Sequence, residues 1–276
     1  MTTVRLPSGS GMFYPDDPVL LRKDIETYLK GAEVEPIPGR VHAIVCPHAG
    51  YVYSGQVAAF AYKAVSKLPV DSVIVIAPSH RAYFEGVALW ETGSFRTPLG
   101  DIGIDERGAG ELLEAKDVFV ARRDVHRSEH SLEVQLPFLQ CVFKELLLLP
   151  LIMGAATEEL YEKASDALKE MVSASPLSYL IVASTDLSHY YPYASAVKID
   201  AVTVEHLKNF DIAAMIRDTR SEKAQACGAG PMITAMMTAR KLGAEAGRVL
   251  KYANSGDVSG DRSGVVGYVS AIFFEK

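Results

Sequence analysis

Val41-His-Ala-Ile-Val-Cys46 runs directly into Pro47-His48-Ala49-Gly50-Tyr51, and the pattern recurs twice. Ser72-Val-Ile-Val-Ile-Ala77 runs into Pro78-Ser79-His80, and Ser178-Tyr-Leu-Ile-Val-Ala183 into Ser184-Thr185-Asp186-Leu187-Ser188-His189. Each is a short β-branched apolar stretch, read as a buried strand, that stops at a turn carrying a histidine. In open α/β sheets, ligands bind just outside the carboxyl ends of parallel strands. Three strands that deliver imidazoles to one edge build a site, and imidazole is a common transition-metal ligand.

Around these strands the pattern alternates. A first helix is expected at about Val19 to Leu29, and a second from a Ser54 N-cap to about Lys67. Gly86 to Glu91 and Leu146 to Met153 read as strands, Asp105 to Lys116 and Ser131 to Phe143 as helices. Thr157, followed by Glu158 and Glu159, reads as the N-cap of a helix reaching about Ala174. Two or three helices fill Ala194 to Leu242, and Val249 to Ala253 and Val265 to Phe274 close the chain as strands. Strands alternating with helices predict an α/β fold: a mainly parallel central sheet with helices on both faces, the last strands adding in antiparallel fashion at an edge. Val34-Glu-Pro-Ile-Pro-Gly39 is too short to separate domains, so residues 1–276 are expected to form one.

The totals agree with a globular protein. The 276 residues are 49% hydrophobic and 22% charged, with a formal net charge of −6. No basic run stands out, which argues against a nucleic-acid surface. No stretch approaches the roughly 20 apolar residues of a membrane helix. Met1-Thr-Thr-Val-Arg5 lacks the apolar core of a signal peptide, and three widely spaced cysteines give no disulfide framework. A cytoplasmic protein with reduced thiols is expected.

His48 and His80 are the strongest pair, each just beyond a strand end, and two neutral imidazoles on adjacent loops can share one metal. Asp186 and His189 lie three apart; on a helical turn both side chains fall on one side, so Asp186 can bind metal or fix the tautomer of a general base at His189. Cys227 opens Cys227-Gly-Ala-Gly-Pro231 before a good helix. A cysteine at a helix N-terminus has a lowered pKa and ligates as thiolate; alternatively it is a small core residue, or the glycines cradle an anion. Glu129 and His130 are candidates to line the site, with Ser131 as a helix N-cap and Glu133 favourable to the helix dipole; Tyr51 and Tyr53 beside His48 are candidates for the pocket wall or for donors to substrate. His42, His126 and His206 have no such context.

Taken together, Gly11-Met-Phe-Tyr-Pro15, His48-Ala-Gly-Tyr51 with Ser54-Gly55, Pro78-Ser-His80, Glu129-His-Ser-Leu-Glu133 with Gln135-Leu-Pro137, Asp186-Leu-Ser-His189, Cys227-Gly228 and Val266-Gly-Tyr-Val-Ser270 resemble the Memo family over nearly the whole chain. The resemblance implies a fold similar to class III extradiol ring-cleaving dioxygenases, which are non-haem Fe(II) enzymes with a 2-His-1-carboxylate site. It implies His48 and His80 as ligands, Cys227 in the place of the dioxygenases' glutamate, and His189 in that of their acid/base histidine, with Asp186 beside it. A thiolate is softer than a carboxylate and puts ordinary catechol cleavage in doubt. The expectation is a metal-dependent oxidoreductase using Fe(II), with Cu or Zn as alternatives, functionally linked to AMMECR and radical-SAM proteins. A phosphopeptide- or anion-binding module on the same cleft and a zinc hydrolase are the rival functions.

Overall fold

A computed structural model describes residues 3–115 and 117–276. Its centre is four parallel strands: β2 (Val41–Cys46), β3 (Ser72–Pro78), β8 (Leu147–Met153) and β9 (Tyr179–Ser184) lie side by side in the order β2-β9-β3-β8. Their side chains point alternately to two sheet faces, and both faces are covered. Ile44, Cys46, Val73, Val75 and Val182 belong to one apolar core; Ala43, Val45, Ile74, Ile76 and Ile181 belong to the other. That is why these strands read as unbroken apolar runs instead of an alternation. Helices α1 (Pro18–Gly31), α2 (Tyr51–Val65) and α5 (Leu136–Val142) contribute to the first core. Helices α3 (Glu106–Leu113), α6 (Glu158–Ala174), α7 (Tyr193–Asn209), α8 (Ile212–Arg220) and α9 (Ala229–Lys241) contribute to the second.

The flanks of the sheet are not parallel. Strand β12 (Val265–Phe274) pairs antiparallel with β2, with β10 (His189–Tyr191) and with β11 (Ala246–Asn254). On the far side β4 (Val87–Leu89) is antiparallel to β8, and β7 (Phe119–Ala121) is parallel to β4. The nine-stranded sheet is therefore mixed, and the expectation of a mainly parallel sheet holds only at its centre. A small second sheet joins β1 (Val4–Arg5), β5 (Ser94–Thr97) and β6 (Gly100–Gly103), and short helices α4 (Arg123–His126) and α10 (Ser255–Ser259) complete the chain.

Several local readings need correction. Helix α2 starts at Tyr51 with Gly50 at its N-cap; Ser54 lies inside it and returns its hydroxyl to the Ala49 carbonyl, 2.9 Å away. Ser131 caps no helix: its hydroxyl donates to the Pro78 carbonyl at 2.8 Å, and a 3₁₀ turn at Glu133–Gln135 leads into α5. The helix expected from Asp105 has Asp105 as its N-cap and ends at Leu113; Lys116 lies outside the described residues. Thr157 caps α6 as expected, its hydroxyl accepting from the Leu160 amide.

Candidate metal centre

Register places the site. Cys46 pairs with Ser184 across β2 and β9, and Ile76 with Ala183 across β9 and β3, so the three strands end in one row. His48, Asp186 and His80 therefore emerge at one edge. One ring nitrogen from each of His48, His80 and His130 lies within 4.8 Å of the other two. His48 is buried, His80 exposed and His130 half-buried. The ring centroids of His48 and His80 are 5.2 Å apart, and those of His80 and His130 4.9 Å.

The hydrogen bonds around two of these rings fix which nitrogen is free. The Ser184 hydroxyl donates its one proton to the Ser131 carbonyl at 2.6 Å. It must then accept from its other neighbours, the Gln135 side-chain amide at 2.8 Å and His48 Nδ1 at 2.9 Å. His48 thus carries its proton on Nδ1 and presents a lone pair at Nε2. Burial first, then the neighbouring His80 and His130, hold the His48 pKa well below the usual histidine range, so the ring is neutral. His80 Nδ1 faces Glu129 Oε1 at 3.0 Å, and Oε2 accepts the His80 amide at 2.6 Å. Burial pushes the Glu129 carboxyl up, but the His80 side chain and the His80 and Ser131 amides outweigh it and hold the pKa down at about 2. An ionised carboxylate only accepts, so His80 also donates from Nδ1 and leaves Nε2 free. Carboxylate or hydroxyl behind imidazole is the usual way metal-binding histidines are oriented.

His130 is built differently. Its ring stacks on Phe13 with centroids 4.2 Å apart, and its buried Nδ1 has no hydrogen-bond partner, Glu129 Oε1 being 3.4 Å away. Phe13 is held by the segment that Glu133 anchors. Glu133 is fully buried and accepts from Arg5, Tyr14, and the Ser8 and Gly9 amides, the last two at 2.8 Å each. The expected role for Glu133 in the helix dipole thus gives way to a buried ion pair with Arg5.

Cys227 approaches His48 from the other side, with Sγ 3.3 Å from Nε2. That is about the spacing of two donors on one metal ion. Cys227 does not, however, join His48 and His80 in the group of ligand atoms within 4.8 Å of one another, where His130 stands instead. Helix α9 begins at Ala229 with Gly228 as N-cap, so the cysteine precedes the helix. Burial first and the Asp186 charge second push its thiol up to about 12, the reverse of the lowering expected from a helix N-terminus. Gly228 has to be glycine: a Cβ there would run into the Ser184 carbonyl oxygen and lie 2.7 Å from Thr185 Cβ. Its amide donates to the Thr185 hydroxyl at 2.8 Å, so it is not free to cradle an anion.

No helical turn forms at Asp186–His189. Asp186 Oδ1 accepts the His48 amide at 2.8 Å, and no hydrogen bond joins Asp186 to His189 among the described residues. Burial pushes the Asp186 pKa up to about 7, the His48 and Ala49 amides opposing. His189 opens β10, and burial lowers its pKa. The preceding residue is held from behind, with the Ser188 amide donating to Asp200 at 2.9 Å. The Tyr51 hydroxyl, expected to face the pocket, donates instead to the Val134 carbonyl at 2.7 Å. A cavity of about 450 Å³ opens on the Cys227 side, between His189, Tyr191, Thr219, Glu222 and Gln225. Sequence reading missed this wall because residues 221–226 form a loop with no apolar period to mark it.

Fold and site together define an α/β protein with a histidine cluster at the carboxyl edge of its parallel strands. A family model described as "Memo-like protein" matches residues 5–272, and the chain belongs to the Memo family. It is similar to a "MEMO1 family protein" of Sulfolobus acidocaldarius, 35% identical over 98% of this chain and 99% of the relative. Members from Methanopyrus kandleri and Methanosarcina mazei are 36% and 38% identical, each over 98% of both chains. Among solved structures it is similar in fold to "uncharacterized protein JW3007 from Escherichia coli K12", with a TM-score of 0.53 and 12% identity over 84% of this chain and 99% of that one.

Proposed function

We propose that this Memo family protein is a metal-dependent oxidoreductase of the extradiol-dioxygenase-like kind. The observation that carries the reading is the pair of imidazoles, His48 and His80, each held from behind at Nδ1, in a cluster where one ring nitrogen of each and one of His130 lie within 4.8 Å of one another. Cys227, beside His48 alone, is the proposed third donor, and His130, which clusters with both imidazoles, is its rival. Bound Fe(II) or copper would supply open positions for redox chemistry on substrate or O₂.

The remaining groups bind and position. Ser184 and Glu129 fix the two rings, so little reorganisation accompanies metal entry. His189, kept neutral by burial and lining the adjacent cavity, is placed to accept or return a proton from a molecule held there. The anion-binding alternative finds less support, because the Gly228 amide is committed and no lysine or arginine lines the cavity.

Anaerobic purification followed by metal analysis is the test. Iron or copper at about one ion per chain, lost in the double variant His48→Ala/His80→Ala, supports the reading. Zinc with ester or amide hydrolysis moves it to a hydrolase, and metal retained by the double variant overturns the site.

A further inference from the structure

The cavity beside His189 has a composition that selects among ligands. Its volume of about 450 Å³ is that of a small-molecule pocket. Its floor includes Cys227, whose sulfur is 3.3 Å from His48 Nε2, so a molecule in the cavity lies against the metal centre. The lining holds no lysine or arginine and one carboxylate, Glu222. The two arginines in the last turn of α8 are spent elsewhere: Arg220 reaches Glu158 at 2.7 Å and Arg217 pairs with Asp218. The Glu222 carboxylate makes no ion pair or hydrogen bond among the described residues. Gln225 donates from Nε2 to the Tyr191 hydroxyl oxygen at 3.1 Å, which leaves its carbonyl oxygen as an unspent acceptor.

Backbone conformation adds a second observation. Among the described residues three non-glycine residues have positive φ: Tyr190, Phe210 and Glu222. Glu222 lines this cavity, and Tyr190 lies between two residues that do, His189 and Tyr191. Tyr190 (φ 62°) sits where the β10–β12 register shifts, a bulge that carries His189 and Tyr191 on either side of it. Glu222 (φ 58°) takes the left-handed position just past α8 that glycine fills most cheaply. Capping does not need a carboxylate there. Strained backbone of this kind collects at ligand clamps and active sites.

We propose that this cavity is the substrate pocket and that it takes a small organic molecule bearing an ammonium group, recognised by Glu222 and Gln225. An ammonium has three donors and no acceptor, which matches two unspent acceptors and a cation-free wall. A phosphate or carboxylate would meet the Glu222 charge with no lysine or arginine in the lining to offset it. The inference rests on the proposed metal centre for what is done to the molecule, whereas recognition belongs to the cavity alone.

Calorimetric titration of phenethylamine, hydrocinnamate and phenyl phosphate, with metal-free and Co(II)-loaded protein, tests it. Phenethylamine should bind at least about fivefold more tightly than either anion. Glu222→Gln should remove most of that preference and Glu222→Lys reverse it, with Co(II) content unchanged. The proposal is overturned if no probe binds, if an anion binds as well as the amine, or if Glu222→Lys keeps the amine preference. Amine selectivity in a protein that takes up no Co(II) sinks the metal centre and leaves the pocket standing. Co(II) uptake without selectivity does the opposite.

Discussion

Replacing Glu129 by glutamine keeps the shape of the side chain and removes its charge. The wild-type carboxylate accepts His80 Nδ1 at 3.0 Å, the His80 amide at 2.6 Å and the Ser131 amide at 3.0 Å. An amide offers one acceptor oxygen and turns two N–H donors toward groups that are themselves donors. Stability follows from linkage. The carboxyl moves from an ordinary 4.5 to about 2 on folding, and at about 1.4 kcal/mol per pH unit that stabilises the ionised form by about 3 kcal/mol. The pKa is depressed in the folded state, so the stabilisation is present above the ordinary value and is lost as pH falls toward 2. Urea unfolding of metal-free Glu129→Gln should therefore show a loss of about 3 kcal/mol at neutral pH, shrinking to about 1.4 kcal/mol near pH 3. Co(II) affinity should drop about 10–100-fold, because His80 loses the partner that fixes its ring. Co(II) binding as tight as wild type, or a stability loss that does not shrink in acid, would refute the argument that Glu129 orients His80.

Two further variants probe the same scaffold. Glu133→Gln leaves the Arg5 charge buried without its counter-charge, so thermal or urea unfolding should show a loss of about 3–5 kcal/mol. Gly228→Ala drives a methyl group into the Ser184 carbonyl and Thr185. It should cost about 1–3 kcal/mol by overpacking, and it should weaken any Cys227–Co(II) absorption band, read on the folded fraction, because it moves the segment that positions the sulfur.

The sequence showed the centre of this molecule because burial there is two-sided. Val41–Cys46, Ser72–Ala77 and Ser178–Ala183 are uninterrupted apolar runs only because a core lies on each face, and their ends at Pro, Ser and His mark the site edge. Strand direction leaves no such mark. Val87–Leu89 reads like the other strands, yet it lies antiparallel to β8; an antiparallel course is expected only of the closing strands, and Val265–Phe274 takes it. The histidines of two strand ends were legible one by one, whereas what fixes them was not. Glu129 reaches His80 across 49 residues, and Ser184, the last residue of β9, holds His48 across 136. Asp186 was misplaced because three-residue spacing means one face only on a helix, and the backbone there forms none. The cavity wall at Thr219, Glu222 and Gln225 arises at a helix end and a loop, where neither period nor composition announces it.

The choice between Cys227 and His130 at the third corner is a question about protons. Burial holds the Cys227 thiol at about 12, so it is protonated throughout the neutral range. Ligation requires the thiolate, and metal entry through Cys227 must release one proton at any pH well below 12. Burial lowers the pKa of His130 from its ordinary 6.5, so that ring is already neutral at pH 7.5 and gives up nothing on ligation. His48, held lower still, releases none either. Co(II) titration in two weakly buffered solutions counts the protons directly. Cys227 ligation predicts one proton per ion near pH 7.5, and an affinity that rises about tenfold per pH unit. It also predicts that Cys227→Ser abolishes both effects. With His130 in the third position, proton release falls to near zero, affinity is flat above pH 7, and His130→Ala is the variant that loses metal. A count near one that survives Cys227→Ser would contradict the thiolate assignment, since its proton would then come from another group, Asp186 at about 7 being the nearest in kind.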